Sequence, residues 1–226
     1  MMKKLPLIIV TFFFTLQLMA QEKATLIYVG DPMCSWCYGF APEISKVRAQ
    51  LGDRLDFQLV MGGLRPYNRE TMADLEDFLA HHWHDVEKRS GQVFNHGILK
   101  DHSFVYDTEP ASRAVLVVRE LRPEAAFEFF KAVQKAFYFH NQDVHRAETY
   151  FPLVAPYGIS AEDFQRAFES EEMKTKIKAD FQFAADLGVR GFPSLVLKRG
   201  EDYLLVSNGY LRAERILQSI GTMVEP

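Results

Sequence analysis

Ten residues near the amino end, Asp31-Pro32-Met33-Cys34-Ser35-Trp36-Cys37-Tyr38-Gly39-Phe40, contain the only two cysteines of the chain, three positions apart. Their neighbours fix where they sit. Ala24 to Val29 is apolar and β-branched enough for a buried strand, and beyond Pro42 the apolar residues Ile44, Val47 and Leu51 recur at helical spacing. The pair therefore stands where a strand hands over to a helix, with Cys34 expected in the first turn. Sulfurs at i and i+3 can join without bending the backbone. A helix start offers unpaired N–H groups and the positive end of the dipole, which favour thiolate over thiol. Cys34 is thus the candidate nucleophile. Cys37, a turn deeper and backed by Tyr38 and Phe40, is its candidate resolving partner. Two plainer roles compete: half of a zinc site, which needs two histidines from elsewhere, and a static disulfide, whose short loop removes little unfolded-state entropy.

The first residues bear on the compartment. Met1-Met2-Lys3-Lys4 is followed by Leu5 to Ala20, apolar apart from Pro6, Thr11, Thr15 and Gln17, before the chain turns polar at Gln21. Residues 1–20 have the form of a cleavable secretory signal peptide, short for a membrane span of ~20 predominantly apolar residues. An uncleaved anchor is the alternative. The expectation is a periplasmic protein with no stable membrane insertion after cleavage. Loss of Lys3 and Lys4 leaves 24 basic against 30 acidic residues, a net charge of −6. With no basic patch, nucleic acid and anionic lipid are poor partners. The remaining 206 residues suffice for a core without disulfide help. In an oxidising compartment a lone cysteine pair then reads as machinery and not as a staple.

Asp56 to Met61 reads as a second strand, closed by Gly62-Gly63 and the turn Arg65-Pro66-Tyr67-Asn68. Strand, helix, strand makes a βαβ unit with parallel strands and puts the cysteines at the carboxyl end of the first, where α/β proteins hold ligands. From Glu70 to Leu187 helices dominate, over Thr71–Arg89, Glu109–Leu121, Glu124–Phe139, Glu148–Ala155, Ala161–Ser170 and Glu171–Leu187. Ser160 and Asp163 form a capping pair, Gly188 is a natural stop, and the aromatic run ending Phe137-Tyr138-Phe139 reads as packing. Phe192–Leu197 and Asp202–Ser207 then make a hairpin about Arg199-Gly200, and Leu211–Thr222 a final helix. The expected class is α/β, a sheet domain of residues 21–69 and 188–226 interrupted by a helical insertion, 70–187.

Four motifs carry a resemblance. They are the ten residues from Asp31, the turn Gly62-Gly63-Leu64-Arg65-Pro66, Tyr106-Asp107-Thr108-Glu109-Pro110-Ala111, and Leu187-Gly188-Val189-Arg190-Gly191-Phe192-Pro193. In this order they resemble the DsbA family, and within it a subgroup of disulfide-isomerase-like proteins, over essentially the whole chain after residue 20. The resemblance implies a thioredoxin-like fold with a large helical insertion and disulfide exchange with exported, cysteine-containing proteins through Cys34 and Cys37. It implies no cofactor, no metal, and a further redox partner that recycles the pair. It also implies a cis bond between Phe192 and Pro193 against the cysteines, so that Phe192, Pro193 and Trp36 meet an extended substrate. Phe192 is bulkier than the residue usual there. Ser35 and Trp36 supply no cation where the strongly oxidising member carries proline and histidine, which implies a milder oxidant. Dimeric relatives carry a separate module ahead of the domain; Gln21-Glu22-Lys23 leaves no room for one, implying a monomer.

Other residues are candidates for the cleft around the pair. Tyr106 to Pro110 introduces a helix with Asp107 or Thr108 as cap, and Asp107, Glu109 and Arg113 are candidates to face the cysteines, as are Asp31 and Ser35. His81, His82 and His84 fall on different sides of a helix and read as surface residues. Two further functions fit the frame. One is a glutathione-dependent isomerase or transferase similar to the kappa class, whose members place serine where Cys34 stands. The other is a C-x-x-C protein that holds copper or zinc or acts as a chaperone.

Overall fold

The computed structural model describes residues 23–224; the signal segment expected at 1–20 lies outside them. Four strands form one mixed sheet in the order β2-β1-β3-β4. β1 (Thr25–Gly30) and β2 (Asp56–Met61) run parallel in unbroken register, Thr25 opposite Asp56 and Gly30 opposite Met61, joined by α1 (Ser35–Leu51). β3 (Ser194–Arg199) lies antiparallel on the other side of β1, and β4 (Asp202–Asn208) completes a hairpin with it. β1 is therefore central and buried on both faces, which is why it reads as a continuous apolar run. Leu26 and Tyr28 enter one core layer, Ile27 and Val29 the other.

Six helices stand between β2 and β3: α2 (Met72–Ser90), α3 (Glu109–Leu121), α4 (Ala126–Tyr138), α5 (Ala147–Val154), α6 (Ala161–Glu169) and α7 (Glu171–Asp186). α8 (Ala213–Val224) follows the sheet. The larger core takes in α1 and the aromatic stripe of α4, with Phe129, Phe130, Phe137 and Tyr138 all buried. On the opposite face Ile27, Val29, Val60 and Val196 pack against Ala184 of α7. Asp180 fastens that helix to the sheet, accepting the Met61 N–H at 2.9 Å and pairing with Arg119 at 2.7 Å. Ser160 accepts the Asp163 N–H at 3.0 Å, as the capping pattern predicts, and Ser170 accepts that of Met173 at 3.2 Å, which is why α6 and α7 are two helices and not one.

Two of the boundaries that differ from expectation have a cause in named contacts. The third strand begins at Ser194 and not at Phe192, because Pro193 has no N–H for a ladder; its carbonyl instead accepts the Gly209 N–H at 2.7 Å. The last helix begins at Ala213 and not at Leu211, where the buried Glu43 carboxylate of α1 accepts the Ala213 N–H at 2.8 Å.

Candidate active site

The site is built outward from the carboxyl end of β1. Asp31, fully buried, accepts the Met33 N–H at 2.8 Å with one carboxylate oxygen and the Leu64 N–H at 2.7 Å with the other, the Ser112 hydroxyl standing at 3.5 Å. It thereby ties the turn before the cysteines to the turn after β2. Burial pushes its carboxyl up to about 6, although the N–H donors act the other way. The next peptide is held from a different side. The Met33 carbonyl accepts two phenol O–H groups, from Tyr106 at 2.5 Å and Tyr138 at 2.6 Å.

Cys34 is the N-cap of α1, with φ −88° and ψ 115°, and its sulfur accepts the Cys37 N–H at 3.4 Å. This corrects the first-turn placement expected from the sequence. A residue with extended backbone just outside the helix can turn its side chain onto the free N–H groups, whereas one inside the turn cannot. Both cysteines are free thiols; Cys34 is 5% exposed and Cys37 0%. Burial raises the Cys37 thiol well above its usual range, and the neighbouring Cys34 adds to the effect. Of the two cysteines, Cys34 alone keeps any exposure.

The Phe192–Pro193 bond is cis, and the Phe192 carbonyl oxygen lies 3.6 Å from Cys34 Sγ. The Phe192 ring lies over Gly62, where a Cβ would meet it at 2.1 Å, and Phe181 lies over Gly63 in the same way at 2.8 Å. The two glycines leave the space these rings fill. Trp36 is half-buried, its ring 6.0 Å from His82 and 5.9 Å from Tyr210, while Ser35 is buried as the first residue of α1. Asp107, one residue before the Thr108 N-cap of α3, accepts the Tyr67 N–H at 2.7 Å and the Glu109 N–H at 2.9 Å. Glu109 and Arg113, both buried, form a two-bond ion pair at 2.7 and 3.1 Å. Arg113 also donates to the Phe168 carbonyl and lies 4.2 Å over the Phe168 ring, so the pair joins α3 to α6. Asp31, Ser35, Trp36, Phe192 and Pro193 thus gather about the cysteines; Asp107, Glu109 and Arg113 are engaged in holding α3.

Sequence reasoning missed Tyr28, Tyr106 and Tyr138 as parts of the site. The available signal was a phenol at positions where phenylalanine would pack equally well. His82 is also more than a surface residue: it stacks on Phe78 at 5.6 Å beside Trp36, and burial lowers its pKa. Among the described residues, no three His, Cys, Asp or Glu side chains converge to hold a metal ion, and no helix is long and apolar enough to cross a membrane.

A family model described as Thioredoxin matches residues 27–210. The chain belongs to the DsbA-like thioredoxin family. Within that family of thiol–disulfide oxidoreductases it is similar to the crystal structure of a candidate protein disulfide isomerase from Nitrosomonas europaea. The two share 38% identity over 90% of this chain and 98% of that one, with a TM-score of 0.82. The cytosolic disulfide reductase DsbM of Pseudomonas aeruginosa shares the fold at 24% identity over 89% and 100% of the two chains, TM-score 0.74. DsbA of Xylella fastidiosa shares it at 15% over 89% and 84%, TM-score 0.59. A curated relative, the ClpXP adapter protein SpxH of Halalkalibacterium halodurans, is 19% identical over 171 residues. The match takes in 74% of this chain and 56% of that protein, so the chain spans little more than half its relative's length. The DsbA-like chain carries the C-x-x-C pair of a thioredoxin-like redox site at Cys34 and Cys37.

Proposed function

We propose that this DsbA-like protein exchanges disulfides with exported, cysteine-containing polypeptides through Cys34-Ser35-Trp36-Cys37. The observation that carries the reading is the Phe192 carbonyl beside Cys34, 3.6 Å from a sulfur seated at a helix N-cap. A substrate strand laid along residue 192 finds a backbone acceptor and brings its own cysteine to Cys34. In the oxidised protein, a substrate thiolate attacks Cys34. The Cys34–Cys37 bond breaks, Cys37 leaves with the electron pair and later takes a proton, and a mixed disulfide remains. The substrate's second thiolate then displaces Cys34 and departs oxidised, leaving both cysteines reduced. Run backwards, the same steps reduce or reshuffle wrong disulfides, and the partner that recycles the pair sets the net direction. The signal-like residues 1–20 support a periplasmic protein, in contrast to the cytosolic DsbM.

The test is a trap. Cys37→Ala, expressed from the full sequence in its own cell, lets Cys34 attack a substrate disulfide and removes the neighbouring thiol that would resolve the mixed disulfide. The expected result is mixed disulfides between Cys34 and periplasmic proteins, together with insulin reduction or ribonuclease oxidation by the parent protein. An empty trap and a parent inert in both assays overturn the reading.

A further inference from the structure

Four tyrosines surround the cysteine turn, and three have an acceptor. Tyr106 and Tyr138 donate to the Met33 carbonyl, and Tyr38 to that of Val93 at 3.1 Å. The Tyr28 hydroxyl, fully buried, has no hydrogen-bond partner. A buried O–H left without an acceptor is costly, and phenylalanine would fill the same space without that cost. The position of the hydroxyl supplies the reason. The Tyr28 ring is fixed edge-on to Phe130 of α4 at 5.7 Å and tilted against Phe40 of α1 at 5.8 Å. Cys37 and Phe40 are i and i+3 on α1 and share the face turned toward β1. The hydroxyl lies at Gly30, where a Cβ would come within 3.0 Å of it, in the core layer covered by the face of α1 that carries Cys37 and Phe40.

We propose that the Tyr28 O–H is a donor held in place for the Cys37 thiolate that exists only during exchange. The proposal rests on the exchange reading above and goes beyond it by assigning a catalytic residue outside the C-x-x-C turn. When a substrate thiolate attacks Cys34, the Cys34–Cys37 bond breaks and its electron pair passes to Cys37. That charge appears on a fully buried sulfur. Cys34 and Asp31 face it. The carboxylate and the loss of water both oppose the charge, and the Asp31 N–H favours it. Tyr28 supplies a second donor. No proton is transferred, because burial pushes the phenol's own ionisation far up. A donor fixed before the charge develops needs no reorganisation when it does. Having no acceptor at rest, it interacts more strongly in the transition state than in the ground state.

Tyr28→Phe keeps the ring and removes only the hydroxyl. The expected result is an unlowered Tm and at least a ~10-fold slower reduction of the oxidised protein by dithiothreitol, followed by tryptophan emission in stopped flow. In a Cys34→Ala background, adding Tyr28→Phe is expected to move the titration of the Cys37 thiolate absorbance to higher pH than when Tyr28 is retained. Equal rates, or an unmoved Cys37 titration whatever the rate, overturn the proposal. A parent protein unable to exchange disulfides at all sinks the exchange reading instead, and the titration still decides whether the phenol serves the thiolate.

Discussion

The ring of Phe192 rests on the backbone of Gly62, so closely that a Cβ at position 62 would stand 2.1 Å from it. One residue follows β2 and the other precedes β3, and the carbonyl of Phe192 is the group that faces Cys34. A methyl group added at 62 is therefore felt at the sulfur. Gly62→Ala is expected to cost about 1–3 kcal/mol in denaturant unfolding, the usual range for overpacking, and to slow exchange. Adding Phe192→Ala should recover part of the stability. A double variant as unstable as the sum of the singles would show that the ring is not what position 62 accommodates.

Tyr106 and Tyr138 share one acceptor, the Met33 carbonyl. Either phenol alone satisfies it, so Tyr106→Phe and Tyr138→Phe are each expected to cost about 1 kcal/mol or less. Together they orphan a buried carbonyl, and the double variant should lose more than the sum, by about 1 kcal/mol or more. Urea unfolding of the four proteins measures that coupling; simple additivity would refute the shared-acceptor account.

Asp31 makes stability depend on pH with a definite sign. Its carboxyl is pushed up to about 6 in the folded protein from an ordinary 3.8. The folded state thus holds the proton more tightly than the unfolded one. The stability this contributes is complete below the unfolded value and is lost as pH rises through the folded one, a loss of about 3 kcal/mol by neutral pH. Asp31→Asn carries no charge and removes the dependence. Between about pH 4 and about 7 the urea midpoint of the parent should fall relative to that of the variant. A constant difference across the range would mean that Asp31 titrates as an ordinary carboxyl.

Glu109 and Arg113 pair away from solvent and hold α3 against α6. Arg113→Met strands a buried carboxylate and is expected to cost about 3–5 kcal/mol. Adding Glu109→Gln removes the stranded charge and should return a large part of it. Insulin reduction at a temperature where both variants remain folded is expected to match the parent. A folded variant without activity would instead put this pair in contact with substrate.

Much of this was legible in the sequence because the deciding signals were local. Ala24 to Val29 announces a central strand because both of its faces are apolar, Ser160 with Asp163 announces a helix start, and the cysteines and Pro193 announce themselves by motif. The remainder depends on contacts between distant positions. Nothing near Asp31 in the sequence points to the N–H of Leu64, 33 residues on. Glu109 and Arg113 show the i, i+4 spacing of a surface pair, and only the packing of Phe168 over the guanidinium takes them out of water. The buried tyrosines escape a hydrophobic pattern altogether, since it counts the ring and ignores the hydroxyl.

Cys34 and the carbonyl that faces it stand 158 positions apart, one after β1 and the other before β3, strands that meet at the centre of the sheet. A ribosome adding about 5–20 residues per second releases the cysteine turn roughly 8–30 s before residue 192. Throughout that interval the nascent chain carries two ordinary thiols, with neither groove nor facing strand. The pocket edge that the proposed exchange relies on is thus completed only once residue 192 has been made.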